Sequence, residues 1–379
     1  MARKRVIYQS EALYIGGTGL SAGLTLPQHT ATQLDRVQSA NYSFDIARTD
    51  VNQFGQLARI DSLILEQPTV SLDFTFYPGS GEQESLMGFN LHATNPALGY
   101  ILSGTRDVLN YYIVTSSEGE DANLDTDASE MKSVIGLGNM SLTSYSVDGA
   151  VGDFVSASVN AEGLNMLIDS SGISASSNQI APSNPAVTVT DGNSVGGSVI
   201  IPAGSAGTGA SNQISALQPK DVSISLTSLG NSTLGVSAAD LKIQSFSFGV
   251  DLGRTPLEKL GSRFAFSREI DFPVTATLDF SANIGDMTSN VDAGNASVES
   301  IVEDDSAEYN LSVCVKPSNG YGMEWALLGA KLDSQSFSSS IGDNKSVDMS
   351  FSAQVGSSSD TDHGVRITKK TTACANSGS

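Results

Sequence analysis

Two stretches of this chain repeat each other at a fixed offset of 206 residues, and this duplication restricts the possible folds more than any single motif. The copies run without a gap from residue 37 to 74 and from 243 to 280. Their identical pairs include Gln38/Gln244, Ser39/Ser245, Asp45/Asp251, Arg48/Arg254, Thr49/Thr255, Gly55/Gly261, Ile64/Ile270, Leu72/Leu278, Asp73/Asp279 and Phe74/Phe280. Solenoid repeats run about 20 to 50 residues, so this longer period predicts one domain built twice.

Later segments also pair, with the small shifts expected of loops. We align residues 111–113 with 309–311, residues 151–153 with 341–343, and residues 155–161 with 347–353. The duplication then spans most of two domains, and such a chain is predisposed to pseudo-symmetric assembly.

A length of 379 residues is enough for two domains of roughly 150 residues each. We expect a first domain over 1–175, a Ser/Gly/Asn-rich segment over 176–215, a second domain over 216–358 and a loosely ordered tail over 359–379. Residues 176–215 are interpreted either as a linker or as a long loop of the first domain.

Charge and cysteine content narrow the function classes. The formal net charge of -21 excludes the basic surface with which proteins bind nucleic-acid phosphates. Cys314 and Cys374 are too few for a disulfide scaffold, and we expect Cys314 to be a buried thiol in a reducing compartment. Neither a signal peptide nor a membrane-spanning stretch of about 18 apolar residues is expected.

Apolar residues recur at every second position in several segments, which is typical of strands with one buried face. These segments are 42–46, 70–76, 222–226, 246–252, 276–280 and 347–355. With Gly-, Ser- and Asn-rich turns between them, they predict a mostly β protein of two tandem β-sandwich or barrel domains, each with a short helix.

Helix signals are few. Thr255, Pro256 and Glu258 stand at the N-cap, N1 and N3 positions of a capping box, and Gly261 follows as a stop, so we predict a short helical turn here. The first copy keeps the threonine and the glycine at the same places. Residues 82–90 and 294–303 are weaker helical candidates.

Catalytic and metal-binding patterns are weak. The histidines His29, His92 and His363 lie in polar or turn-like sequence, and none pairs with another histidine or a cysteine at metal-ligand spacing. The acidic run from Glu118 to Glu130 lacks the glycine and the terminal glutamate of an EF-hand loop, so we interpret it as a solvated loop. No Gly-Lys-Ser/Thr phosphate loop occurs. We therefore predict no enzyme activity, no cofactor and no metal.

The second copy of the duplicated segment reads IQSFSFGVDLGRTPLEKLG over residues 243–261 and continues with Phe272-Pro273-Val274. This sequence resembles a pattern in tail tube proteins of tailed bacteriophages. Residues 37–74 are similar to a more diverged version, and residues 332–337 fit the same type of protein. The resemblance covers about two thirds of the chain and contains no invariant catalytic signature.

The resemblance implies β-sandwich or barrel domains whose inner sheets join edge to edge into rings, which stack into a hollow tube. A chain with two copies fits a plan in which three chains form a pseudo-sixfold ring. The implied partners are a tape-measure protein, a tail terminator and baseplate or distal-tail proteins. The implied location is the virion tail, after synthesis in the host cytoplasm. DNA would pass through the lumen without specific binding, and no membrane is implied.

Two pairs of aspartates shared by the copies, Asp45/Asp251 and Asp73/Asp279, occupy the polar faces of alternating strands. We expect at least one pair to face the lumen, because an acidic wall repels DNA phosphates. The alternative is that these faces meet solvent or a neighbouring subunit.

The arginines shared by the copies, Arg48 and Arg254, end the same strand. We expect them to lie at an inter-domain interface, because an arginine can fork onto a carboxylate of an adjacent domain. The alternative is a contact within their own domain. Gly55 and Gly261 are explained by left-handed backbone geometry.

Three other functions are weighed against a tail tube. A distal-tail or baseplate ring would use the same fold. A two-domain β-sandwich binding module would need clustered exposed aromatic side chains, yet Trp325 is the only tryptophan. A hydrolase is the weakest alternative, because nothing determines the separation of two carboxylates.

Overall fold

In this computed structural model, regular structure is almost entirely β, which confirms the predicted class. The described residues are 11–17, 29–116, 122, 131–169, 173–174, 179–180, 199–200, 217, 222–229, 241–261, 265, 267–284, 308–317, 321–339 and 344–371. The two helices of this part are short, α1 (Glu82–Leu86) and α2 (Gly99–Leu102).

The first half of the chain alternates strands and turns. Its strands are β1 (Glu11–Gly17), β2 (His29–Thr30), β3 (Thr32–Gln33), β4 (Val37–Asp45), β5 (Thr49–Val51), β6 (Asp61–Leu63), β7 (Thr69–Phe76), β8 (Val108–Ser116), β9 (Met131–Ala150), β10 (Ser156–Gly163) and β11 (Asn165–Asp169). Short strands follow at β12 (Ile173–Ser174), β13 (Gln179–Ile180) and β14 (Val199–Ile200).

The second half repeats the alternation. Its strands are β15 (Val222–Leu229), β16 (Leu241–Asp251), β17 (Arg254–Leu257), β18 (Ser267–Ile270), β19 (Thr275–Ile284), β20 (Glu308–Val315), β21 (Gly322–Ser338), β22 (Ser346–Gln354) and β23 (Gly364–Lys370).

Each half is a two-layer sandwich, because one long strand takes part in both layers. The first part of β9 pairs with β8 and β11, and its last part pairs with β10. In the second half, β21 pairs first with β20 and β23 and then with β22. The layers pack through aromatic side chains, with ring centroids 5.9 Å apart between Phe74 and Tyr111 and 5.6 Å apart between Tyr309 and Phe351.

The two halves share one continuous sheet. Strand β16 pairs antiparallel with the last part of β9, with Phe248 opposite Val147 and Asp251 opposite Ser144. One layer of each half is thereby fused into a sheet of strand order β4-β7-β10-β9-β16-β19-β22-β21. We call this the fused sheet, and the pairing of β9 with β16 the internal junction.

Strand irregularities recur at matching places in the two halves. The β4/β7 pair shifts register at residues 37–39, and the β16/β19 pair shifts at residues 243–245. Within these bulges, Gln38 and Gln244 each donate a hydrogen bond from Nε2 to the carbonyl two residues earlier, at 3.0 Å. The shared glutamine therefore has a local structural role.

The strand registers correct the alignment of residues 155–161 with 347–353. Ala157 lies opposite Phe76 in β7, while Val347 lies opposite Ala282 in β19. Strand β22 therefore corresponds to β10 at an offset of 190 residues rather than 192. Sequence similarity does not detect this shift, because small polar and apolar residues alternate in the same way at either offset.

The alignment of residues 111–113 with 309–311 is also shifted by two. Asn110 accepts a hydrogen bond on Oδ1 from the Asn139 backbone N–H at 3.0 Å, and Asn310 accepts one from Gly329 at 3.1 Å. Asn139 and Gly329 both have positive φ, 54° and 62°. These matching bulges place the two asparagines at corresponding positions.

The predicted helical turn at Thr255 is wrong. Residues 254–257 form β17, which pairs with β18 in a hairpin, and β5 pairs with β6 in the first half. Thr255 donates from its hydroxyl to Asp271 at 2.9 Å, across the hairpin instead of at a helix start. The left-handed geometry of Gly55 and Gly261 is confirmed by φ angles of 90° and 87°.

The helical candidate at 82–90 is confirmed by α1. Residues 294–303 and the acidic run 118–130, apart from Ala122, lie outside the described residues. Within the segment 176–215, the described strands are β13 and β14, and β14 pairs in parallel with β2 near the start of the chain.

Two expectations about the end of the chain are corrected. Cys314 is buried as predicted, but it is disulfide-bonded rather than a free thiol, and Cys374 lies outside the described residues. The tail expected to be loosely ordered from residue 359 instead contains β23, which pairs with β21. The apolar side chains of Val365 and Ile367 are buried, and their burial stabilises this strand against the sandwich.

Candidate functional site

One face of the fused sheet is almost entirely polar. Its residues alternate along each strand with residues that point into the sandwich core. They are Ser39, Asn41, Ser43, Asp45, Thr69, Ser71, Asp73, Thr75, Ser144, Ser146, Asp148, Ala150, Ser156, Ser158, Asn160, Glu162, Ser245, Ser247, Gly249, Asp251, Thr275, Thr277, Asp279, Ser281, Ser334, Ser336, Ser338, Asp348, Ser350, Ser352 and Gln354. We call these residues the polar face.

All four aspartates singled out in the sequence lie on the polar face. Asp45, Asp73 and Asp251 are exposed, and Asp279 is half-buried. Further acidic side chains join them, which the sequence reasoning did not select: Asp148, Glu162 and Asp348. The lysines Lys242 and Lys331 lie at the margins of the face. The polar face is therefore net acidic.

Hydrogen bonds between neighbouring strands hold the small side chains of the polar face. The hydroxyls of Ser39 and Thr75 lie 2.7 Å apart, and Asn41 donates to an Asp73 carboxylate oxygen at 2.8 Å. Asn160 donates to the Ser144 hydroxyl at 2.7 Å. Because these short side chains form hydrogen bonds with each other across strands, the polar face is smooth and contains few flexible groups.

A groove of about 510 Å³ lies on the polar face near the internal junction. Carboxylates line it from several strands, among them Asp148, Asp279 and Asp348, and Asp153 contributes from a loop. No lysine or arginine is among the described residues that line it. The described lining of the groove is thus a concave acidic surface without a basic side chain that could bind phosphate.

The shared arginines occupy different environments. The Arg254 side chain is 0% exposed, and its guanidinium forks onto Asp107 with contacts of 2.5 and 3.1 Å. Its Nε also donates to the Leu142 carbonyl at 2.8 Å. Asp107 and Leu142 belong to the first half, so this arginine joins the two halves. Arg48, its counterpart, is exposed in the connection between β4 and β5.

The two hairpins next to these arginines also differ. The β17/β18 hairpin contacts the first half, where Arg268 pairs with Glu162 at 2.5 Å and the Ala265 backbone N–H donates to Gln67 at 2.7 Å. The β5/β6 hairpin and the residues after it expose more large apolar side chains, namely Val51, Phe54, Leu57, Ile60, Leu63, Ile64 and Leu65, whereas the described part of the β17/β18 hairpin exposes Leu257 and Leu260.

A buried polar chain crosses the internal junction. Trp325 donates from its indole N–H to the Tyr145 hydroxyl at 3.2 Å, and Tyr145 donates to a Glu84 carboxylate oxygen at 3.2 Å. Burial raises the pKa of Glu84 to about 7. Burial also raises the pKa of Tyr145 well above its ordinary value. No sequence motif pointed to these residues, because they come from α1, β9 and β21.

Other candidates from the sequence are not brought together. His92 contacts Thr94, and His363 pairs with Asp360. Within the described residues, no three histidine, cysteine or acidic side chains form a metal-binding group. No helix in the described part is both long and apolar enough to span a membrane.

No protein-family model and no curated protein sequence matches the chain. Solved structures with partial similarity include the SPP1 tail tube, with a TM-score of 0.30 and 12% identity over 44% of this chain and 80% of that chain. Another is the anti-feeding prophage (AFP) baseplate, with a TM-score of 0.29 and 9% identity over 44% of this chain and 97% of that chain. Each similarity covers less than half of this chain, so function is inferred from the chain's own geometry.

Proposed function

We propose that this protein is a structural virion protein of a phage tail and forms the tail tube. Three chains make each ring with pseudo-sixfold symmetry, and rings stack around an acidic lumen that conducts DNA. The observation that carries the proposal is the fused sheet, which buries one face in two sandwiches and presents the polar face on the other.

The edges of the fused sheet support self-assembly. Strand β4 ends the sheet, and residues 331–338 of β21 pair with β22 alone among the described strands. An unpaired edge is a template for pairing with another chain. In a closed ring every such edge has a partner, so ring formation removes this liability.

The repeated strand order supports pseudo-sixfold symmetry. The order β4-β7-β10-β9 of the first half corresponds to β16-β19-β22-β21 of the second. Each chain then contributes two similar units, and three chains contribute six. Closed rings are the usual outcome when a head-to-tail contact repeats through a closing rotation.

The composition of the polar face supports the conduit role. DNA-binding proteins hold phosphates with lysine and arginine, which are confined to the margins of this face. Carboxylates at Asp45, Asp73, Asp251 and Asp279 repel a polyanion instead. A wall of this kind lets DNA pass without specific contacts. The same four aspartates are the proposed lumen-facing residues.

The proposed role includes several protein partners and a location. A tape-measure protein occupies the lumen during assembly, a tail terminator ends the tube, and baseplate or distal-tail proteins begin it. The protein acts in the virion tail after synthesis in the host cytoplasm. Neither a cofactor nor a membrane is part of this role, and the proposal assigns no enzymatic activity.

A distal-tail or baseplate ring of the same fold is the second candidate, because the sheet edges and the polar face serve a single ring equally well. Copy number in the virion separates the two functions. A glycan- or protein-binding module is less favoured, because the only tryptophan, Trp325, is buried in the core.

Electron microscopy of the purified protein over a range of concentration and salt tests the proposal. We expect hollow rings or tubes, with a ring mass of three chains by native mass spectrometry. A protein that stays monomeric at high concentration, even with tail-tip proteins present as initiators, contradicts the tail-tube function and favours a binding module.

A further inference from the structure

The internal junction shows how two units of this fold meet. Strand β16 lies antiparallel to the last part of β9, with Gly249 opposite Ser146 and Val250 opposite Tyr145. Behind the sheet, the junction side chains are buried in the core. The chain therefore contains one complete example of contact between a second-half edge and a first-half edge.

Each strand of the internal junction has a counterpart at a free edge. Strand β16 corresponds to β4 at an offset of 206 residues, with matching bulges. The last part of β9 corresponds to the last part of β21 at an offset of 190, because β9 shifts register between residues 142 and 144 and β21 shifts between 332 and 334. The free edges thus repeat the two sides of the junction.

Burial differs sharply between the corresponding positions. Val250 is 2% exposed at the junction, whereas its counterpart Phe44 is 55% exposed at the free edge. Val147 is 0% exposed, whereas its counterpart Phe337 is 49% exposed. These large side chains stand on the core side of the sheet, so the free edges lack the cover that the internal junction has.

We propose that the occupant of each free edge is a second copy of this chain, held in the register of the internal junction. Strand β4 of one copy pairs antiparallel with the last part of β21 of the next. When the register of the internal junction is transferred to these strands, the residues that lie opposite each other are Tyr42/Phe337, Ser43/Ser336, Phe44/Gln335 and Asp45/Ser334. This inference rests on the proposed function and specifies the contact by which the ring closes.

The shared arginine extends the same interface. At the internal junction, Arg254 donates to the carbonyl of Leu142. The corresponding groups at the free edges are Arg48 and the Leu332 carbonyl, so Arg48 of one copy donates to Leu332 of the next. The exposed Arg48 is thereby the intermolecular equivalent of the buried Arg254.

The contact joins two different edges and is therefore heterologous. Such a contact repeats from copy to copy and closes a ring when the rotation allows it. A symmetric pairing of β4 with β4 would instead stop at a dimer. The half-buried Tyr42 and the exposed Phe44 and Phe337 come to lie against each other across the new junction, where their remaining exposed surface is removed from water.

Paired cysteines test the register. The full-length variant Ser43→Cys with Ser336→Cys is oxidised under assembly conditions and run on a denaturing gel without reductant. We expect covalent oligomers ending in a trimer, because opposite positions of antiparallel strands lie within disulfide reach. The pair Ser146→Cys with Gly249→Cys is the internal control and is expected to cross-link within one chain.

Two further variants serve as contrasts. Ser43→Cys with Ser338→Cys is out of register by two residues. Its yield of covalent oligomers is expected to be below about a tenth of that of the in-register pair, since Cα atoms more than about 7 Å apart cannot be bridged without movement. Ser43→Cys alone is expected to give no covalent dimer. The parent chain controls for the natural cysteines.

The outcomes separate this inference from the proposed function. Rings of the parent chain with cross-links from the shifted pair, or from Ser43→Cys alone, overturn the register and leave the ring in place. Absence of rings overturns the proposed function. In that case, absence of in-register cross-links at high protein concentration overturns the register as well.

Discussion

At the scale of single residues, the most unusual group is the Glu84 carboxyl, which is buried against Tyr145 at the internal junction. Burial raises its pKa from an ordinary value of 4.5 to about 7. The folded state therefore holds this proton more tightly than the unfolded chain does. Its contribution to stability is full below pH 4.5 and is lost as the pH rises through 7.

This linkage predicts a pH-dependent stability that Glu84→Gln removes. A glutamine keeps a carbonyl oxygen for the Tyr145 hydroxyl and cannot ionise. We expect the parent protein to lose about 3 kcal/mol of unfolding free energy relative to Glu84→Gln between pH 4.5 and pH 8. Urea unfolding at several pH values measures this, with Glu82→Gln on the exposed side of α1 as the control. An identical pH profile for the parent and Glu84→Gln contradicts the prediction.

The two shared arginines predict opposite mutant phenotypes. Arg254→Ala leaves Asp107 without its buried partner and the Leu142 carbonyl without a donor, so we expect the unfolding free energy to fall by about 2 to 3 kcal/mol. Arg48→Ala removes an exposed side chain, so monomer stability changes by less than about 0.5 kcal/mol. Ring assembly by Arg48→Ala is nevertheless expected to weaken.

Denaturant unfolding at low concentration and sedimentation at high concentration measure these two effects separately. Arg254→Lys keeps the charge without the fork and is expected to fall between the parent and Arg254→Ala. Unchanged ring assembly by Arg48→Ala argues for a role of Arg48 within its own domain.

At the scale of elements, the free strand β4 and its counterpart β16 form a natural comparison. Phe44 and Val250 occupy corresponding positions, one exposed and the other buried. Introducing a carboxylate on β4 affects only an edge that faces solvent in the monomer. The same change on β16 places an unpaired charge inside the core.

We therefore expect Phe44→Asp to fold with nearly unchanged stability and to fail in assembly. Val250→Asp is expected to lose more than about 3 kcal/mol of unfolding free energy, from the burial of a charge and the loss of apolar packing. Circular dichroism during urea unfolding and electron microscopy report the two outcomes. Normal tubes from Phe44→Asp exclude β4 as an assembly edge.

At the scale of the whole molecule, the polar face is the surface whose charge matters for DNA. Replacing Asp45, Asp73, Asp251 and Asp279 with lysine changes its charge by about eight units per chain at positions that are exposed or half-buried. Because these side chains lie on the solvated face of the strands, the sandwich core is untouched, and the fold is expected to persist.

We expect tubes of this variant to bind DNA strongly at low salt and to release it as salt rises, whereas parent tubes do not bind. Virions that carry it are expected to eject DNA slowly or not at all. Cosedimentation of DNA with tubes at several salt concentrations measures the binding. The asparagine version of the same four changes separates loss of repulsion from gain of attraction. Normal ejection by the lysine variant contradicts a lumen position for these residues.

The amino-acid sequence was sufficient for the strand class and for the composition of the two faces. Tyr42, Phe44 and their neighbours alternate with polar residues, and successive side chains of a strand point to opposite faces of the sheet. The local pattern is therefore enough to assign each residue to a face. The shared aspartates could be selected as polar-face residues for the same reason, and so could the left-handed turn at Gly55.

Tertiary structure alone decided which strands meet. The pairing of β9 with β16, the burial of Arg254 and the convergence of Glu84, Tyr145 and Trp325 join residues far apart in the chain, and no local pattern encodes them. The capping-box sequence at Thr255 became a strand because hairpin pairing with β18 outweighed a weak local preference. Periodicity sets the face of each residue, whereas long-range pairing sets its neighbour.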